Sequence, residues 1–266
     1  MGSFEKTPVD HPTPVLASAP NSKQDHPPVS SLRIQLFGDF RLVASDGDVP
    51  TIAQMPRLQS LLAYLLLHQA AQQSRAHLAF LLWPDSTEQQ AHTNLRKALY
   101  LLRQAFPQID SFLHIGRLSL SWKTSTKAAA WSLDVQDFEQ ALAASEQAEH
   151  PHNPTAMRQA LTQAVDLYRG DLLPSCYDEW ILPERDRLRQ AFFKALERLI
   201  VLLEEDHDDE AAIGAALRLL RHDPLHEETY RHLMRLYAVR GDRASALRTF
   251  HTCATILERE YGTEAG

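Results

Sequence analysis

The chain has 266 residues, 27 Lys+Arg against 34 Asp+Glu, a formal charge of −7 and two cysteines. That length suits one or two domains with real hydrophobic cores, and 44% apolar with 23% charged residues is ordinary globular composition. No apolar run approaches the ~18 residues of a membrane helix. The N-terminal stretch has no apolar signal core, and Cys176 and Cys253 are too few for a disulfide framework. A cytoplasmic chain is expected, and membrane and secreted mini-protein classes are excluded.

Residues 1–30 contain Pro8, Pro12, Pro14, Pro20, Pro27 and Pro28 among polar residues and read as a disordered leader. Beyond it the charge divides. Residues 31–125 carry nine basic and six acidic residues, and residues 126–266 carry sixteen and twenty-five. A mildly basic block therefore precedes an acidic one, which suggests two modules with different partners.

Order begins with the alternation Leu32-Arg33-Ile34-Gln35-Leu36. Gly38-Asp39 turns the chain into Phe40-Arg41-Leu42-Val43, and Asp46-Gly47 is a second turn signal, so short antiparallel strands are expected. Pro56 opens a helix whose Leu58, Leu61, Leu62, Leu65 and Leu66 share one face. A second helix runs over about 75–83 and is stopped by Pro84. Asp85-Ser86-Thr87-Glu88 supplies capping oxygens for a third, 87–106, which ends before Pro107. Residues 112–122 then read as a hairpin turning at Gly116.

From Leu133 the pattern is helical, with helices near 135–149, 155–169, 180–205, 208–222, 226–239 and 243–260. Breaks fall at Pro151/Pro154, Gly170-Asp171, Pro183, Asp223-Pro224 and Gly241-Asp242. An offset of 34 residues superposes Asp208 on Asp242 and Ala212 on Ala246, the period of tetratricopeptide helix pairs. The predicted fold is thus mostly α with small β elements. A winged helix with an antiparallel sheet and a wing hairpin (31–125) precedes an all-α tetratricopeptide-like repeat domain (126–266).

In a helix-turn-helix the second helix of the pair enters the major groove, and here that helix is 87–106. Ala91, Leu95, Ala98, Leu99, Leu102 and Phe106 fall on one side and form its core face. The other side presents Gln90, Thr93, Lys97, Tyr100 and Gln104, flanked by Arg96 and Arg103. Such a polar, weakly basic face can bond phosphates and base edges, and Glu88, its one carboxylate, lies at the cap. Arg117 beside the Gly116 turn and Arg57 at the start of the first helix are further candidate backbone contacts. Taken singly, either of these two arginines reads first as a solvated surface charge.

Enzyme chemistry finds little support. The sequence has no Gly-x-x-x-x-Gly-Lys-Ser/Thr phosphate loop. His222 and His226 are separated by Asp223-Pro224 and have no Cys or carboxylate cluster to complete a zinc site. Cys176 reads as a packed thiol, and Asp178-Glu179 and the acidic run 204–210 as solvated helix ends. No cofactor or metal is expected, and no catalytic residue.

Several motifs occur in family order: Gly38-Asp39-Phe40, Leu82-Trp83-Pro84 and Asn94-Leu95-Arg96-Lys97-Ala98-Leu99 in the first half, then Asp134-Val135 with Phe138 and Tyr168-Arg169-Gly170-Asp171-Leu172-Leu173-Pro174. Trp180, Glu184-Arg185-Asp186-Arg187-Leu188, His222 to Glu228, Gly241 to Leu247 and Leu257 to Gly262 continue them, with Tyr261 where the pattern usually has leucine. The chain resembles SARP-type regulators, bacterial transcription activators that join a winged-helix DNA-binding part to a bacterial transcriptional activator domain. The resemblance implies binding to double-stranded promoter DNA, often as a homodimer on direct repeats, and contact with RNA polymerase. The low positive charge of the first half makes dimerisation an expected requirement for useful affinity. Two other readings stay open: a protein-interaction scaffold with a degenerate winged helix, and a regulatory fragment of a regulator whose ATPase module lies downstream.

Overall fold

The computed structural model describes residues 1–2, 30–45, 47–49, 52, 54–125, 129–149 and 153–262. The expected disordered leader, apart from its two ends, lies outside this set, as do Asp46 and Pro151.

β1 (Ser30–Gln35) and β2 (Arg41–Ala44) pair antiparallel, with Ile34 opposite Leu42, and β3 (Gly47–Asp48) extends β2. The period-two alternation buries Leu32 and Ile34 and leaves Arg33 outside. α1 (Pro56–Leu67) follows, its proline in the first turn where the missing N–H costs nothing. All five of its predicted leucines are buried, each stabilising the fold by about 1.5–3 kcal/mol. β4 (Gln73–Ser74) leads into α2 (Arg75–Leu82), which Ser74 caps by accepting from the His77 amide. α3 (Glu88–Ala105) is capped by Thr87 Oγ1, which accepts from the Gln90 amide. A 3-10 turn, Pro107–Ser111, joins it to the hairpin β5 (Leu113–Ile115) and β6 (Ser119–Trp122). β4 adds to the free edge of β6, making a three-stranded sheet where the sequence reading saw two strands.

β7 (Ala129–Leu133) pairs in parallel with β1, completing a four-stranded sheet in the order β3-β2-β1-β7. This strand falls in the segment that the sequence reading assigns to the helical half. Its period-two signal is masked because only Leu133 of its five residues is fully buried.

Helices make up the rest: α4 (Asp134–Glu149), α5 (Pro154–Leu167), α6 (Leu182–Glu205), α7 (Asp209–His222), α8 (Glu227–Val239) and α9 (Arg243–Tyr261). Asn153, Asp208 and Asp242 each cap a helix by accepting the amide three residues on. Asp208 and Asp242, superposed by the 34-residue offset, thus occupy equivalent positions before α7 and α9. Pro183 is a correction. It sits in the first turn of α6 and starts that helix, where the sequence reading placed a break. Among the described residues no helix is long and apolar enough to cross a membrane.

The two halves meet through backbone as well as side chains. Asp134, 9% exposed, accepts from the amides of Leu36 and Phe37 at 2.9 Å while also capping its own helix at Val135. The Leu173 amide donates to Leu36 O at 2.9 Å, and the Gly38 amide to Asp171 O at 3.0 Å. Gly38 and Gly170 cross here. A Cβ on Gly170 would lie 3.5 Å from Gly38 Cα, and Gly38 has φ +74, a left-handed conformation open to glycine. Phe37 packs its ring against Phe138 and Tyr168, so one apolar core is continuous across the halves.

Candidate nucleic-acid interface

The 100° spacing read from α3 holds. Ala91, Leu95, Ala98, Leu99 and Leu102 are buried, with Phe106 just beyond them, while Gln90, Thr93, Arg96, Lys97, Tyr100, Arg103 and Gln104 are exposed. The helical half therefore leaves this face uncovered. Thr93, Lys97 and Tyr100, the centre of the face, are open to solvent, and Tyr100 is 62% exposed.

The polar groups on this face differ in how firmly they are held. Gln90 Nε2 donates to Asn94 Oδ1 at 2.9 Å, and Thr93 Oγ1 donates to the Gln89 carbonyl at 2.9 Å. Arg96 turns back onto its own helix, with Nη2 donating to Thr93 Oγ1 at 3.1 Å and Nε to His92 O at 3.3 Å. Arg103 is more firmly held, since Nε and Nη2 grip the Asp110 carboxylate at 3.1 and 3.0 Å. A forked pair of this kind neutralises the cation, so Arg103 contributes less free charge than the sequence suggests.

Two further cations were expected to join the set. Arg117 does stand exposed at the hairpin tip, where the Gly116 amide donates to Ser119 O at 2.9 Å and closes the turn. Arg57 is engaged elsewhere, its Nη1 pairing with Asp178 Oδ1 at 2.7 Å. The same carboxylate accepts from Ser60 Oγ, which in turn accepts from Trp180 Nε1 at 3.2 Å. Asp178 is consequently a tie between the halves, which corrects its reading as a solvated helix end. The acidic run 204–210 does end α6 and turn into α7, with Glu205, Asp206 and Glu210 exposed, while part of it is also engaged in ion pairs. Glu204 accepts from Arg235 at 2.7 Å and contacts His232 at 2.9 Å, and Asp206 and Asp208 hold Arg158 at 3.1 and 2.6 Å.

Arg75 is the residue that sequence reasoning missed. Its amide donates to Leu118 O at 2.9 Å and its Nη1 to Gly116 O at 3.2 Å, so it braces the hairpin tip from the start of α2. Burial lowers its pKa, and the like charges of Arg96 and Arg103 lower it further, which places the three guanidiniums in one field. One signal was available. A cation at a helix N-terminus opposes the macrodipole and calls for a compensating partner.

Of the groups considered for other chemistry, Cys176 is half-buried with its Sγ 3.7 Å from Asp178 Oδ2, and burial pushes its thiol pKa up, away from thiolate reactivity. His222 packs edge-on against Phe192 and Tyr168, while His226 lies 2.8 Å from Glu197.

Residues 133–266 match the family described as bacterial transcriptional activator domain. A solved structure, Mycobacterium tuberculosis EmbR in complex with a low affinity phosphopeptide, is similar at TM-score 0.67 and 18% identity, covering 89% of this chain and 62% of that one. This chain therefore spans less than two thirds of the EmbR chain, and at that identity the likeness concerns the fold. No curated protein matches the sequence.

Proposed function

Because the chain belongs to the bacterial transcriptional activator domain family, we propose that it is a sequence-specific DNA-binding regulator that activates transcription. In this reading residues 31–125 form a winged helix, with α3 as the helix that enters the major groove and the β5–β6 hairpin as the wing. The observation that carries it is the uncovered, acid-free face of α3, with Thr93, Lys97 and Tyr100 exposed beside Arg96. Gln90 and Thr93 suit base edges or phosphates, and Arg96 and Lys97 suit guanine edges or phosphates. Arg117 is placed for a neighbouring phosphate. Arg103 and Arg57 would join only after leaving Asp110 and Asp178.

Helices α4–α9 are assigned as a tetratricopeptide-like module for homodimerisation or contact with RNA polymerase, and the protein as cytoplasmic and nucleoid-associated when bound. The test is fluorescence anisotropy against the gene's own upstream DNA across a salt series. Replacing Arg96 and Lys97 together by Ala is expected to weaken binding about tenfold or more and to flatten the salt slope by about 0.9 for each phosphate left without its cation. Unchanged affinity would remove α3 as the reading helix.

A protein-interaction scaffold is the second reading. It draws on Arg57 and Arg103, whose charge is already matched inside the protein. Footprinting on genomic fragments at moderate salt separates the two, because a scaffold protects no site.

A further inference from the structure

A cleft of about 290 Å³ opens where the two halves adjoin, away from α3, between the end of α1, the end of β6, β7 and the first turns of α4. Its walls include Gln69, Trp122, Trp131, Gln136, Asp137 and Gln140. The two indoles meet edge to face, with ring centres 6.0 Å apart. Trp131 Nε1 donates to Lys123 O at 2.8 Å. Trp122, only 5% exposed, has no such acceptor: among the described residues its Nε1 is the buried side-chain polar atom without a hydrogen-bond partner. Native structures rarely leave such a donor orphaned, and one that persists beside a polar cleft calls for an acceptor supplied from outside the chain.

We propose that this cleft is a binding site for a small neutral polyhydroxylated molecule of about monosaccharide size, whose oxygen accepts from Trp122 Nε1. The partly exposed Trp131 ring offers an apolar surface for the C–H side of such a ligand, while three carboxamides and a carboxylate offer donors and acceptors for its hydroxyls. The charge balance selects a neutral ligand. Asp137 repels an anion, and the charge of Arg33 on β1 offsets part of the pull that Asp137 would exert on a cation. Nε1 itself is closed off from solvent, so the cleft widens to admit the ligand. Gln69 Nε2 and Gln136 Oε1 tie its walls at 3.5 Å, the outer limit for a hydrogen bond, and that tie opens readily. The inference does not depend on DNA binding.

The test uses the full chain labelled with ¹⁵N at its indoles, which gives separate N–H signals for Trp83, Trp122, Trp131 and Trp180. Loss of one signal in Trp122→Phe assigns it. D-glucose, N-acetyl-D-glucosamine and myo-inositol are titrated to about 50 mM, where even a millimolar site saturates. Glucose 6-phosphate and glucosamine serve as the charged controls. The expected result is a saturable movement of the Trp122 signal with at least one neutral probe. Affinity should fall about threefold or more in Gln140→Ala, which lines the cleft without taking part in the Gln69–Gln136 tie, with thermal stability retained. Three outcomes overturn the proposal: no saturable movement with any neutral probe, as for a cleft holding water alone; equal movement of Trp83 and Trp180; or tighter binding of either charged control.

Discussion

In the helical half Arg185 reaches the carbonyls of Leu172, Leu173 and Cys176, Arg218 those of Val165 and Tyr168, and Arg158 the carboxylates of Asp206 and Asp208. On α3, by contrast, Arg96 folds back onto its own helix, and Lys97 stands in solvent. The first set satisfies groups that the fold itself leaves open. The second lies on the exposed surface, with Arg96 held only by exposed bonds within its own helix. One residue type therefore serves as internal mortar in one region and as a presented surface in the other, and local sequence does not distinguish them.

That contrast can be broken most sharply at the junction. Asp134→Ala is expected to orphan the Leu36 and Phe37 amides and the cap of α4, lowering unfolding free energy by roughly 3 kcal/mol or more, as read by chemical denaturation. Asp134→Asn, which keeps one accepting oxygen, should lose less. Arg185→Ala strips a cation from three carbonyls and should cost roughly 2–3 kcal/mol of stability while α3 remains unaltered. The Arg96/Lys97 double replacement should do the reverse, leaving stability within about 0.5 kcal/mol of the parent and weakening DNA binding. Arg158→Ala sits lower, because its carboxylate pairs are part-exposed and screened, so only a slight, salt-sensitive fall in melting temperature is expected.

The smallest effect is a pH dependence. Burial, then the neighbouring Arg218, hold the His222 pKa below its ordinary value, so the unfolded chain takes up that proton first. The stability this group contributes is complete above about pH 6.5 and declines as the pH falls below it. His222→Phe should flatten that decline in thermal melts between about pH 7.5 and 5.5; an unchanged profile would show that the imidazole is not responsible.

Much of this molecule was legible along the chain, because helices advertise themselves locally. The leucine spacing of α1, the Thr87 cap of α3 and the 34-residue offset of Asp208 and Asp242 each locate an element within a few residues of themselves. The exposed face of α3 followed from the same periodicity. What stayed hidden is long-range. β7 has a partner in β1 about a hundred positions earlier, Asp134 accepts from residues 36 and 37, and Asp178 takes Arg57. Arg103 read as a free cation because Asp110 lies beyond a proline that ends the helix. The family motifs did carry Gly38, Asp134 and Gly170, but as a pattern, without the backbone crossing that requires them.

The parallel pairing of β7 on β1 has a consequence for how the polypeptide is made. During synthesis the first strand leaves the ribosome long before its neighbour exists, so Leu32 and Ile34 must wait beside an open edge. A fragment cut after the hairpin, at the boundary that composition alone suggests, would keep that edge unpaired for good and invite edge-to-edge aggregation. Cloning the amino-terminal part through Leu133 and into α4 restores both the missing strand and the carboxylate that fastens it.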